Sequence, residues 1–130
     1  MNRIDVTCAL VIKNGKLLAC QRGAESFHPF EWEFPGGKVE AGETPQECIV
    51  RELQEELGLA VEIRKELEAI EHDYPWNRIR LIPFLCAVTE DEPIMNEHHA
   101  IRWIKPADFE KLKWSAADFR LFKLNREHIG

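Results

Sequence analysis

The 130-residue sequence predicts an α/β (α+β) fold, a sandwich in which helices cover a mixed sheet. Three observations predict it. An Asn-Gly pair separates two short apolar runs near the N-terminus, a clearly capped amphipathic helix follows a glycine-rich loop, and strand-like runs beyond that helix lead to a second helical pattern.

In chain order, the apolar run from Ala9 to Ile12 and the run LLACQR flank KNGK. A two-residue type I′ turn needs positive φ at both central positions, which Asn and Gly tolerate best, so two antiparallel strands open the fold. Residues 23–32 and the stretch EFPGGKVEAGE read as loop, punctuated by glycine and proline. The helix then announces itself. Thr44 is a good N-cap, Pro45 suits the first helical position, and Glu47 completes a capping box with Thr44. Ile49, Leu53 and Leu57 form its buried stripe and Gly58 stops it. Strand candidates follow in AVEIRKELEAIEHDY, in IRLIPFLCAVT after a PWN turn, and in AIRWIK. A second helix runs from about Ser115 to Glu127, with Phe119, Leu121 and Phe122 turned inward. No repeat, low-complexity tract or linker interrupts the pattern, so residues 1–130 read as a single domain.

The net charge of -6 and sequence pI near 5.4 give no general field for a nucleic acid polymer or an anionic membrane surface. A small polyanion can still bind through local arginines, backbone donors or bridging metal ions. Cys8, Cys20, Cys48 and Cys86 are widely spaced among apolar neighbours, which reads as buried free thiols in a reducing, cytoplasmic setting. No segment has the roughly 18 apolar residues of a membrane span. The expected state is a monomer or homodimer.

On a helix at about 100° per residue, Glu52, Glu55 and Glu56 share an arc beside the apolar stripe, with Glu43 just upstream. Like charges a turn apart repel, so such a cluster is either a solvated acidic face or a cation site. No lysine intersperses the arc, and Arg51 is placed to pair with Glu47 and Glu55. Oxygen ligands without His or Cys suit Mg²⁺ or Mn²⁺.

From Gly37 the chain reads glycine, five residues, Glu43, seven residues, then RELQEELGL. This resembles the Nudix box, G-x5-E-x7-R-E-U-x-E-E-x-G-U with U aliphatic, at every specified position over Gly37 to Leu59. More weakly, nearly the whole chain is similar to the MutT-like branch. The resemblance implies a Nudix-type α/β/α sandwich and a Mg²⁺- or Mn²⁺-dependent hydrolase that cleaves nucleoside diphosphates linked to another moiety. It implies Glu52, Glu55 and Glu56 as metal ligands, the Gly36 carbonyl as a further oxygen ligand, Arg51 as the group orienting the carboxylates, and Glu43 as a brace. It also implies a carboxylate that takes a proton from the attacking water, with Glu52 and Glu97 as the matching candidates. His98 and His99 are set aside, because adjacent side chains point apart.

For the nucleotide, the resemblance implies Arg22 at a strand end as a phosphate contact, and Glu33, Phe34, Pro35 and Gly36 as the lining of the pocket. Trp32 or Phe34 either stacks on the base or lies in the core, and one of Arg78 and Arg80 is expected to add positive charge. Asp118 matches roughly the late position that reads the base, where chains resembling MutT itself carry asparagine. Ser115 and Asp118 also read as a helix-capping pair. Ionised aspartate only accepts hydrogen bonds, which suits an amino-bearing base such as cytosine. The expectation is a nucleoside triphosphate pyrophosphohydrolase acting on cytosine-type or damaged nucleotides in pool sanitation. The alternatives are an 8-oxo-dGTP diphosphatase, a hydrolase of ADP-ribose or dinucleoside polyphosphates (Tyr74 and Pro75 sit near positions that sort those branches), and a nucleotide sensor that does not turn over.

Overall fold

The structure, a computed structural model, describes residues 3–88 and 91–129. Asn14 and Gly15 both adopt positive φ, 53° and 75°, and turn strand β1 (Arg3–Lys13) into β2 (Lys16–Gln21). Two short strands follow, β3 (Trp32–Glu33) and β4 (Gly36–Lys38), in a stretch that reads as loop from its sequence. Their pairing comes from tertiary contacts. β3 lies antiparallel to β2, while β4 lies antiparallel to β1 with Thr7 opposite Gly37 and Cys8 opposite Gly36.

Helix α1 (Pro45–Leu57) has the expected start and stop. Thr44 Oγ1 accepts from the Glu47 amide at 3.1 Å, Glu47 Oε1 accepts from the Thr44 amide at 2.9 Å, and Gly58 closes the helix at φ 63°. The next run divides into β5 (Glu62–Glu66) and β6 (Ile70–Asp73), both antiparallel to the long strand β7 (Arg78–Ala87). Pro83 lies at the division, between the stretch of β7 paired with β6 and the stretch paired with β5, where its missing N–H is tolerated. Strand β8 (Ala100–Ile104) pairs with β2, a 3₁₀ helix occupies Pro106–Lys111, and α2 (Ala116–Ile129) ends the described chain.

β1 and β7 run parallel at the centre of an otherwise antiparallel sheet. Alternation along β1 and β2 splits their apolar side chains between two cores. Ala9, Val11, Leu18 and Cys20 face α1 with Ile49, Leu53 and Leu57, whereas Leu10, Leu17 and Ala19 face α2 with Leu121 and Phe122. The result is the predicted α/β/α sandwich. One inward assignment fails: Phe119 is 38% exposed, because the buried face of α2 runs through Asp118, Leu121, Phe122 and Asn125, and Asn125 holds both backbone groups of Glu68. All four cysteines are buried and free. Among the described residues no helix is long and apolar enough to cross a membrane.

Candidate active site

The acidic arc of α1 is organised by Arg51. Its guanidinium grips both oxygens of Glu43 at 2.6 and 2.9 Å, and its Nη1 reaches Glu52 at 2.9 Å and Glu55 at 3.1 Å. Arg51 hydrogen bonding holds the Glu43 carboxyl down at about 2. The expected pairing of Arg51 with Glu47 does not form, since Glu47 is committed to the capping box at the other end of its turn. Glu55 is the outermost member and largely exposed.

Glu56 differs from its neighbours. Its Oε2 is buried with no hydrogen-bond partner among the described residues. Burial, then the charges of Glu52, Glu97 and Glu33, push its pKa up to about 8, against the opposing pull of the Gly36 backbone amide. Burial also raises Glu52, with Arg51 opposing and Glu55 and Glu97 adding to the rise. The loop glutamate Glu97 is therefore brought within electrostatic reach of both. Among the described residues no three Asp, Glu, His or Cys side chains already converge tightly enough to cage an ion. An orphaned buried carboxylate oxygen with anionic neighbours and hard donors only nonetheless has the chemistry that suits a divalent cation.

Beside this cluster lies a cavity lined by Arg22, Glu33, Gly36, Tyr74 and Asp118, among others. Arg22 Nε donates to Glu33 Oε1 at 2.7 Å, and His98 Nε2 stands 3.0 Å from Glu33 Oε2. Burial opposes ionisation of Glu33, but the bonds from His98 and Arg22 outweigh it and hold its pKa below the usual range. Asp118, 6% exposed, accepts from the Phe34 amide at 3.1 Å through Oδ1 and from the Ser115 hydroxyl through Oδ2. Burial drives it up to about 6. It is thus both the capping partner of Ser115 and a wall of the cavity.

Several expected residues occupy other places. Trp32 is buried away from the cavity, whereas the Phe34 ring, 4% exposed, packs against Trp114, Phe109 and Phe122 while Phe34 also lines the cavity. Pro35 is buried outside the cavity lining, with its carbonyl accepting from the Ala9 amide at 2.8 Å. Neither Arg78 nor Arg80 lines the cavity. The two-residue period of β7 directs Ile79 and Leu81 there instead, and Arg78 pairs with Asp73 at 2.8 Å. Phe34, Gly36, Glu33, Arg22 and Asp118 are all at the cavity.

Sequence reasoning missed His98 and underused Tyr74. Adjacent histidines do diverge: His99 packs its ring edge-on to Phe30 at 5.1 Å. His98 turns inward, its side chain 7% exposed. A period-2 count from β8 back into the preceding loop is the only sequence signal that separates them.

Comparison with known proteins agrees with this geometry. A family model described as NUDIX domain matches residues 1–124. The chain is 31% identical over 123 residues to a CTP pyrophosphohydrolase of Escherichia coli strain K12, covering 95% of this chain and 91% of that protein. It is 32% identical over 105 residues to the 8-oxo-dGTP diphosphatase of the same organism, covering 80% and 81%. The solution structure of the E. coli ORF135 protein superposes with a TM-score of 0.85 at 30% identity, covering 98% of this chain and 91% of that one.

Proposed function

The chain belongs to the NUDIX family and is a hydrolase of nucleotide phosphoanhydride bonds, and from that premise we propose that it is a nucleoside triphosphate pyrophosphohydrolase preferring cytosine-type or damaged pyrimidine nucleotides. One observation carries the reading. Glu33 lines the cavity and at the same time adds its charge to Glu56, so base recognition and the acidic cluster share a wall.

In this reading Glu56, with Glu52, Glu55 and the Gly36 carbonyl, would hold a divalent cation, Mg²⁺ in the first instance. When bound, it neutralises charge on the phosphate chain and acidifies the attacking water. Arg51 orients Glu52 and Glu55 through its hydrogen bonds, and Glu43 anchors Arg51 in turn. Glu97 makes no ion pair among the described residues and lies within electrostatic reach of Glu52 and Glu56, so Glu97 takes the proton from water as it adds across the α–β anhydride. The products are a nucleoside monophosphate and pyrophosphate. Arg22, steadied by Glu33, faces the phosphate chain.

Base preference rests on two carboxylates. Glu33 is held ionised by its two donors, and Asp118 near neutral pH is mostly ionised with lone pairs to spare, so the cavity offers acceptors to an exocyclic amino group. Product analysis on ordinary, oxidised and methylated nucleoside triphosphates, with ADP-ribose and a dinucleoside polyphosphate alongside and with Mg²⁺ omitted as control, tests it. Metal-dependent monophosphate and pyrophosphate from a cytosine-type triphosphate is the expected result. Preference for 8-oxo-dGTP overturns the base assignment, and equilibrium binding without turnover overturns the enzymatic one.

A further inference from the structure

Glu97 belongs to a segment with little secondary structure, yet the chain on both sides of it is tied down. On the helix side, the Ile94 amide donates to the Leu57 carbonyl at 2.7 Å and the Asn96 side chain donates to the Glu55 carbonyl at 3.3 Å, stitching the segment to the last turn of α1. On the sheet side, the His99 amide donates to the Gln21 carbonyl at 2.8 Å and the His98 ring meets Glu33. Glu97 stands between these anchors, one residue from Asn96 and one from His98.

We infer that His98 is a positioning residue which fixes Glu97 over the acidic cluster by locking its segment to Glu33. The inference rests on the pyrophosphohydrolase reading above. Glu33 is ionised and can only accept, so the His98 Nε2 carries the hydrogen of the 3.0 Å bond. The same carboxylate is shared with Arg22 through its other oxygen, which leaves Glu33 little freedom to follow His98. A rigid acceptor makes a rigid anchor. His98 Nδ1 is buried and has no partner among the described residues, so local satisfaction does not explain why the ring is turned inward. The contact with Glu33 does. Because Glu33 also lines the nucleotide cavity, the position of the proton acceptor is tied to the residue that meets the nucleotide.

Steady-state kinetics in Mg²⁺ on the triphosphate preferred by the wild type, with thermal midpoints for every variant, tests this. His98→Ala is expected to lower kcat by about 10-fold or more, with a smaller rise in KM from loosening Glu33, since misplacing a general base costs mainly turnover. His98→Gln, whose amide can donate over a similar reach, is expected to recover most of the loss. In a Glu97→Gln background, His98→Ala should add little further loss, because the two act through one step. His98→Asn, too short to reach Glu33, serves as the loss variant if His98→Ala does not fold. An unchanged kcat, a loss that is fully additive with Glu97→Gln, or one that Gln does not restore overturns the inference. Failure of the underlying reading shows separately, as absence of turnover in the wild type.

Discussion

Glu52 lies across the bare face of Gly37: a methyl group on Gly37 would stand 2.4 Å from the Glu52 Cδ. The glycine beside it is blocked differently, since a methyl on Gly36 would stand 2.0 Å from the Thr7 carbonyl oxygen. One neighbour is the end of a flexible side chain and the other is the backbone of the central strand.

Alanine substitutions should therefore separate function from folding. Gly37→Ala is expected to push Glu52 aside and lower turnover by about 10–100-fold with a thermal midpoint close to wild type. Gly36→Ala is expected to cost upward of about 3 kcal/mol, because β1 and β4 must part. Denaturant midpoints and kcat measured on both variants check the contrast. Loss of activity in Gly37→Ala only in proportion to lost stability would deny Glu52 its role.

Glu56 carries a testable pH signature in the metal-free protein. Its folded pKa of about 8 stands above the ordinary 4.5, so between those values the native state binds the extra proton and stability falls as pH rises. Asp118, raised from 3.8 to about 6, adds to the fall over the lower part of that range. With metal chelated, the thermal midpoint at about pH 8.5 should lie below that at about pH 5.5. Glu56→Gln should flatten much of this slope while abolishing Mg²⁺-dependent turnover. A variant with near-normal turnover would remove Glu56 from the proposed cation site.

Asp118→Asn keeps an acceptor for the Phe34 amide but replaces an anion with a group that both donates and accepts. It should fold and change the order of kcat/KM across a nucleotide panel. Asp118→Ala, by contrast, strands the Phe34 N–H and the Ser115 hydroxyl and should lose about 1–3 kcal/mol. Unchanged relative rates in Asp118→Asn would remove this residue from base selection.

What the sequence made legible follows locality. The capping box at Thr44 and Glu47, the stripe on α1, the glycine stop at Gly58 and the Asn14-Gly15 turn are all set by neighbours within a few residues, and each is where the spacing predicts. Strands β3 and β4 were hidden because their pairing with β2 and β1 is long-range. Phe119 was misassigned because one face of α2 is set by Asn125 reaching across to Glu68, a polar contact with no apolar period. Within the site, the acidic arc was visible as a helix face, whereas His98 and the roles of Ile79 and Leu81 depend on which side of a strand or loop each residue takes.

The parallel ladder of β1 and β7 also bears on how the protein is made. It joins residues 75 positions apart, from Arg3 against Arg78 to Ile12 against Ala87. Closing so long a loop before any pairing compensates it makes for slow folding, and neither core can seal until β7 has left the ribosome. Helix α1, with its local caps, can flicker into shape far earlier, carrying its acidic residues without the cavity they serve. Nascent chains should thus pass through a stage with helical content but no activity, and refolding followed by far-ultraviolet circular dichroism should run ahead of recovered turnover.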